Sequence, residues 1–187
     1  IEMGKKEGIN ITCEATPHHF SFSDDEILKN AYDTNFKMSP PLREVSDVKA
    51  VREALKSGLI DVIATDHAPH HTDEKIVEFD KAPFGIIGLQ TLVPLTLKLV
   101  NEGVISLERM VELTSTNAAK MLNLKDKGRL AEGMLADITV IDPEIEYIYD
   151  EKINRSKSVN SPLFGKKLKG AATTTIKSGK IVYEFGK

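Results

Sequence analysis

Cysteine is nearly absent from this 187-residue chain: Cys13 stands alone, and tryptophan does not occur. A single thiol excludes an internal disulfide and leaves the fold to a packed core, which a chain of this length can bury. The expected setting is a reducing compartment, the cytoplasm by default. Excess charge is missing too. Lysine and arginine number 25 against 28 acidic residues, a formal net charge of −3, so neither nucleic acid nor an anionic membrane is called for as a partner. The opening I-E-M-G-K-K-E-G lacks the basic flank and apolar core of a signal peptide. No apolar run is long enough to span a bilayer, the longest, Ile86 to Val100, being interrupted by Gln90, Pro94 and Lys98. From Lys152 onward nine basic residues face one acid, Glu184. With no phosphate-binding glycine loop or aromatic RNA motif beside it, this bias reads as a solvated face.

What is present is concentrated in Asp61 to His70, D-V-I-A-T-D-H-A-P-H. Asp61-Val62-Ile63-Ala64 is a short apolar run suited to a strand covered on both faces, as in a parallel sheet. It ends abruptly in Asp66, His67 and His70. Parallel α/β folds place their chemistry at the C-terminal ends of strands, and a metal-dependent hydrolase needs a carboxylate and imidazoles at such a junction.

Before this run, Ile9, Ile11 and Cys13 alternate with polar residues and predict a strand ending near Thr16-Pro17. Ser23 and Glu26 have capping-box spacing for a helix over Asp24 to Asn30. A second helix is expected over Asp47 to Lys56, capped by Ser46, with Val48, Val51 and Leu55 on one face and Gly58 at its exit. The polar connection from Asp66 to about Gly85 is long enough to be a functional loop. Ile87 to Val100 predicts a buried helix with Pro94 as a kink or boundary. Leu107 to Leu113 follows a Ser106 cap. A further helix starts at Thr114 to Asn117, with Ala118, Ala119, Met121 and Leu122 on its apolar side. After Lys127 the pattern turns to short strands: Asp137 to Ile141, Tyr147 to Tyr149, Thr173 to Lys177 and Lys180 to Phe185. Ser178-Gly179 is a hairpin turn, and Asn154 to Lys169 an irregular connection. The expected organisation is an α/β part over residues 1–127 and a β part over 128–187.

Four motifs in order carry a resemblance: C-E-A-T-P-H-H at Cys13 to His19, K-M-S-P-P-L-R at Lys37 to Arg43, A-T-D-H-A-P-H at Ala64 to His70, and A-P-F-G at Ala82 to Gly85. Together they resemble dihydroorotases of the bacterial and archaeal type, within the metal-dependent amidohydrolase superfamily. The segment Gly128-Arg129-Leu130, Glu132-Gly133 and Ala136-Asp137-Ile138 is similar to the exit from the barrel in many amidohydrolases. The resemblance implies the C-terminal part of a (β/α)8 TIM barrel followed by strands of a small β-sandwich domain. A closed barrel takes about 250 residues. Only two convincing barrel strands precede Lys127, corresponding to the seventh and eighth, and the His-x-His motif is absent. The resemblance therefore implies an incomplete site in this chain alone.

The reaction implied is the reversible, zinc-dependent hydrolysis of dihydroorotate to N-carbamoyl-aspartate in pyrimidine synthesis, with one or two Zn2+ ions. By resemblance Asp66 is both metal ligand and catalytic proton shuttle. His70 contacts the substrate carboxylate, and Phe84 and Gly85 touch substrate through their main chain. Ser39 stands where most relatives have asparagine, also at the substrate, and moves the motif toward hydantoinases. Side-chain packing is the plain alternative for Phe84, and a solvent-facing loop histidine for His70. His18, His19, His67 and His71 are read as satisfied structural histidines, with the paired side chains pointing apart, and Arg43 as an ion-pairing residue. The resemblance further implies a homo-oligomer, with aspartate transcarbamoylase as a candidate partner. Two other readings stand beside it: a hydantoinase or allantoinase, and a non-catalytic dihydroorotase-like assembly subunit.

Overall fold

In the computed structural model, which describes residues 1–187, the two expected barrel strands lie side by side. β1 (Glu14–Ala15) and β2 (Val62–Ile63) pair in parallel, Glu14 opposite Val62 and Ala15 opposite Ile63. One backbone bond extends the pairing at each end, Asp61 N–H to Cys13 O and Ala64 N–H to Ala15 O. The alternation from Ile9 predicts a longer first strand than this. Ile11 N–H instead donates back to Ile9 O, and Cys13 N–H donates at 2.9 Å to the Asp61 carboxylate, which also holds the Lys5 ammonium at 2.7 Å. A side chain thus takes the donor that a longer ladder would use.

The helices are α1 (Glu2–Lys6), α2 (Pro17–Ser21), α3 (Asp25–Lys29), α4 (Val45–Ser57), α5 (Thr72–Lys75), α6 (Leu92–Asn101), α7 (Leu107–Val111) and α8 (Asn117–Met121). The Ser23–Glu26 capping box does not form. Asp24 precedes α3 without a side-chain cap, and Ser23 gives Glu26 N–H only its carbonyl. α4 starts at Val45 behind Glu44, earlier than expected, so Ser46 lies in its first turn and its hydroxyl donates to the Glu44 carboxylate at 3.4 Å. Leu55 is fully buried and Val51 packs beside it, as the face predicts. Pro94 does not kink α6. It sits in the first turn, where backbone N–H groups have no helical partner to lose.

The Ser106 hydroxyl caps α7 through Arg109 N–H at 3.1 Å. No new helix starts at Thr114; α7 runs through a π-helical turn, Glu112–Thr116, into α8. Thr114 lies inside the continuous helix and donates its hydroxyl to Met110 O at 2.8 Å, one turn back, as a mid-helix threonine does. Of the expected apolar side of α8, Ala119 is buried, whereas Leu122 is 70% exposed.

β3 (Ile138–Ile148), β4 (Lys167–Lys177) and β5 (Lys180–Glu184) form one antiparallel sheet in that order. The two short pieces expected around residues 137–149 are a single strand, with the pairing irregular between Asp142 and Glu146 where Pro143 lacks a donor. Ser178 and Gly179 hold φ of 49° and 78°, the left-handed pair of a two-residue hairpin turn. Residues after Lys127 form this one sheet, with α6 packed on β4, and no second sheet faces it as in a sandwich. The core runs through both parts: Phe20, Leu55, Leu97 and Met110 share a cluster with Tyr149 and Leu168. Burying each such side chain contributes roughly 1.5–3 kcal/mol, so the change of composition at Lys127 is no break in cohesion.

Candidate active site

Three residues beyond β2, Asp66 holds φ 48°, a left-handed conformation uncommon for any residue with a side chain but tolerated by Asp. Its carboxylate is exposed and takes part in no hydrogen bond or ion pair within the chain. With Thr16, His19, Pro40 and Arg43 it lines an open cleft. Arg43 makes no ion pair, contrary to expectation; it lines that cleft, and its carbonyl accepts from Asp24 N–H.

The Ser39 loop is pinned from below. Met38 and Leu42 are 2% and 4% exposed and pack with Phe36 and Ile86, so the residues between them are pushed outward, and Ser39 is exposed with no hydrogen-bond partner in the chain. His19 fixes the same loop from the side. Its Nε2–H donates to Pro40 O at 2.9 Å, which leaves Nδ1 to accept from the Thr16 hydroxyl at 2.7 Å.

His70, Phe84 and Gly85 form a second group. His70 Nε2–H donates to Phe84 O at 2.9 Å, and its Nδ1 lies 3.6 Å from the Glu74 carboxylate. Gly85 N–H donates to Lys37 O, joining this group to the Ser39 loop. Lys37 also lays its ammonium 4.7 Å from the Phe84 ring centroid, and Phe84 is 55% exposed. His67 and Ile86 form a parallel bridge, which places Asp66 and Gly85 one residue back on adjoining segments. The structure therefore brings Asp66 and the Ser39 loop to one cleft, and His70, Phe84 and Gly85 to an adjoining hydrogen-bonded cluster.

Two residues that hold this arrangement escape sequence reading. Lys75 is 7% exposed and donates to Pro83 O at 2.9 Å and Gly85 O at 3.2 Å. Burial pushes its pKa down to about 8, with Asp33 opposing and Lys37 adding to the shift. Asn160, from the irregular connection after β3, reaches back to Ala68, His70 and Gly85. Lysine in a polar loop and asparagine in an irregular one carry no periodic signal.

Of the remaining histidines, His67 and His71 have hydrogen-bond partners and His18 a ring contact. Burial, with His19 beside it, pushes His18 down to about 3, and the two rings lie 4.5 Å apart, in contact and not turned away from each other. His67 Nδ1 accepts from Gly88 N–H at 3.0 Å, and burial lowers its pKa. His71 caps α5 in a capping box with Glu74.

No group of three or more His, Cys, Asp or Glu side chains converges as a metal site. Zinc takes four ligands, so this chain alone does not close a zinc site; the unpartnered Asp66 carboxylate would be one oxygen donor to it.

The model of the amidohydrolase family matches residues 9–182. The chain belongs to the amidohydrolase family. Among curated relatives, this amidohydrolase chain is 52% identical over 184 residues to a dihydroorotase of Geobacter metallireducens, covering 98% of the chain and 43% of that protein. A dihydroorotase of Endomicrobium trichonymphae is 48% identical over 185 residues, with 98% and 43% covered. The chain thus spans less than half the length of the curated relatives it matches. Among solved structures, the L-hydantoinase (dihydropyrimidinase) from Arthrobacter aurescens superposes with a TM-score of 0.92 at 32% identity, over 100% of this chain and 42% of that one. The D-hydantoinase (dihydropyrimidinase) from Thermus sp. gives 0.86 at 27%, again over 100% and 42%. The amidohydrolase chain accordingly has the architecture of part of an amidohydrolase-type barrel.

Proposed function

We propose that this chain is the C-terminal portion of a dihydroorotase, which opens the cyclic amide of dihydroorotate to N-carbamoyl-aspartate and closes it again. The observation that carries the reading is Asp66: an unpartnered carboxylate, in a left-handed backbone conformation just past a parallel strand, in a chain about half identical to dihydroorotases. The backbone angle alone is shared with the Ser178 turn; what supports the reading is a free carboxylate at the end of a parallel strand, where α/β folds place their chemistry.

An amide is a poor electrophile. A zinc ion, when bound, supplies polarisation of its carbonyl and acidifies water to a pKa of about 7. In this proposal Asp66 is one ligand of that ion, one or two Zn2+ being held mainly by the other half of the barrel. The Asp66 carboxylate also accepts the proton of the attacking water and returns it to the ring nitrogen that leaves. Ser39, exposed and unpartnered, offers its hydroxyl to the substrate. His70 swings its Nε2–H from Phe84 O to the substrate carboxylate, and the backbone of Phe84 and Gly85 borders the ring.

In the same reading residues 1–127 complete a TIM barrel. The sheet of β3 to β5 is one layer of a β-sandwich, and its exposed Ile181 and Val182 suit further strands or a second copy. A homo-oligomer, a cytoplasmic location and docking to aspartate transcarbamoylase belong to the proposal; size-exclusion chromatography with and without the transcarbamoylase tests the assemblies. No helix is long and apolar enough to cross a membrane.

The deciding experiment assays a protein carrying this chain in a complete barrel against dihydroorotate, hydantoins and allantoin. Preference for dihydroorotate supports the proposal. Preference for a hydantoin, toward which Ser39 and the solved neighbours lean, transfers the assignment to that cyclic amide. Inactivity toward all three in a metal-loaded protein leaves the non-catalytic reading.

A further inference from the structure

We propose that Asn160 is a positioning residue for substrate binding, a clamp that fixes the His70 loop and the Phe84–Gly85 segment in one register; this rests on the dihydroorotase reading above. Asn160 is 4% exposed, in a segment anchored by the buried Ser161 and by Leu163 in the main core. Its Nδ2 donates to Ala68 O at 2.9 Å and to Gly85 O at 3.3 Å. Its Oδ1 accepts His70 N–H at 3.2 Å, and its own carbonyl accepts Ile87 N–H at 3.1 Å. One residue therefore satisfies both segments that border the proposed substrate, and it does so from the far side of the sequence.

The arrangement has a directional consequence. Asn160 bonds to the backbone of the residues assigned to substrate and makes no hydrogen bond to Asp66, whose carboxylate is free. Loosening the clamp should displace His70 and Gly85 together, while the proton shuttle keeps its place at the end of β2. Lys75 holds Gly85 O as well, but it does not reach Ala68 or His70, so it cannot substitute for the clamp.

The test uses the protein with a complete barrel, and two variants. Asn160→Ala removes all three side-chain bonds. Asn160→Asp keeps the acceptor for His70 N–H but sets a carboxylate oxygen against the Ala68 and Gly85 carbonyls. Both should raise KM for dihydroorotate by about tenfold or more with kcat within about threefold, at unchanged zinc content. A merely structural role would lower the active fraction, and with it the apparent kcat, leaving KM alone. KM within about twofold of wild type in either folded variant overturns the clamp. Amide exchange in the wild type needs no variant: His70 N–H, bonded to a buried acceptor, should exchange slowly, and exchange at the rate of a free loop amide also overturns it. A wild type that does not turn over dihydroorotate fails the functional reading instead, and exchange at His70 still decides the clamp.

Discussion

Gly85 stands so close to Ala68 that a Cβ built on it would lie 2.6 Å from the Ala68 Cβ. The two residues belong to the A-P-F-G and A-T-D-H-A-P-H motifs, so their contact sets the spacing of the two segments assigned to substrate. Gly85 also holds φ 98°, where a side chain is strained in any surroundings. Gly85→Ala should therefore cost about 1–2 kcal/mol from the backbone alone, and more from the clash. Steady-state kinetics should show a raised KM. Adding Ala68→Gly removes the clash but not the backbone strain, so it should recover part of the loss; full recovery would show that the left-handed conformation carries no cost here.

Asp66→Asn separates chemistry from folding. Asparagine tolerates the same left-handed backbone, and the carboxylate it replaces has no partner in the chain, so the unfolding free energy should stay within about 0.5 kcal/mol. Turnover should fall by about 10²- to 10⁴-fold, the usual contribution of a positioned proton-transfer group. Near-normal turnover would remove Asp66 from the mechanism.

The place of Asp66, exposed just beyond β2, is legible in the sequence because its signal is local: a buried apolar run stops, and a carboxylate stands where the strand ends. The Ser178-Gly179 turn is legible for the same reason, since only certain residues accept its backbone angles. β3 is read as two pieces because Asp142, Pro143 and Glu144 look like a break, whereas the sheet absorbs them as an irregularity. Helix starts are misread where a hydroxyl residue of cap type lies inside the helix, as with Ser46 and Thr114. Asn160 is the extreme case. Its partners lie 75 to 92 residues away, and no pattern along the chain encodes a bond that only tertiary folding brings into reach.

His18 predicts a loss of stability in mild acid. Burial holds its pKa at about 3 in the folded state, against an ordinary 6.5. Below pH 6.5 the unfolded chain takes up a proton that the folded one refuses, so stability is complete above that pH and declines as pH falls. The slope approaches about 1.4 kcal/mol per pH unit. Urea unfolding at pH 7.5 and pH 5 should show wild type losing about 2 kcal/mol more than His18→Gln. The variant should still lose some stability, because the depressed pKa of His67 acts in the same direction.

Lys75 acts with the same sign in an alkaline window. Its ammonium is buried among carbonyls, and its pKa falls from 10.5 to about 8. Between those values the unfolded chain binds a proton that the folded chain has released, so this residue's contribution to stability rises with pH from about 8 to 10.5 and is flat below. Lys75→Met has no such titration. The stability of wild type relative to the variant should therefore grow over that interval, by at most about 3 kcal/mol. At pH 7 the outcome turns on two opposed effects: the variant is spared the burial of a charge, yet it leaves Pro83 O without its donor and Gly85 O with Asn160 alone. A variant that matches wild type in unfolding at pH 7 but binds substrate more weakly would mean that this lysine is kept for the geometry of the Phe84–Gly85 segment, at no net gain in stability.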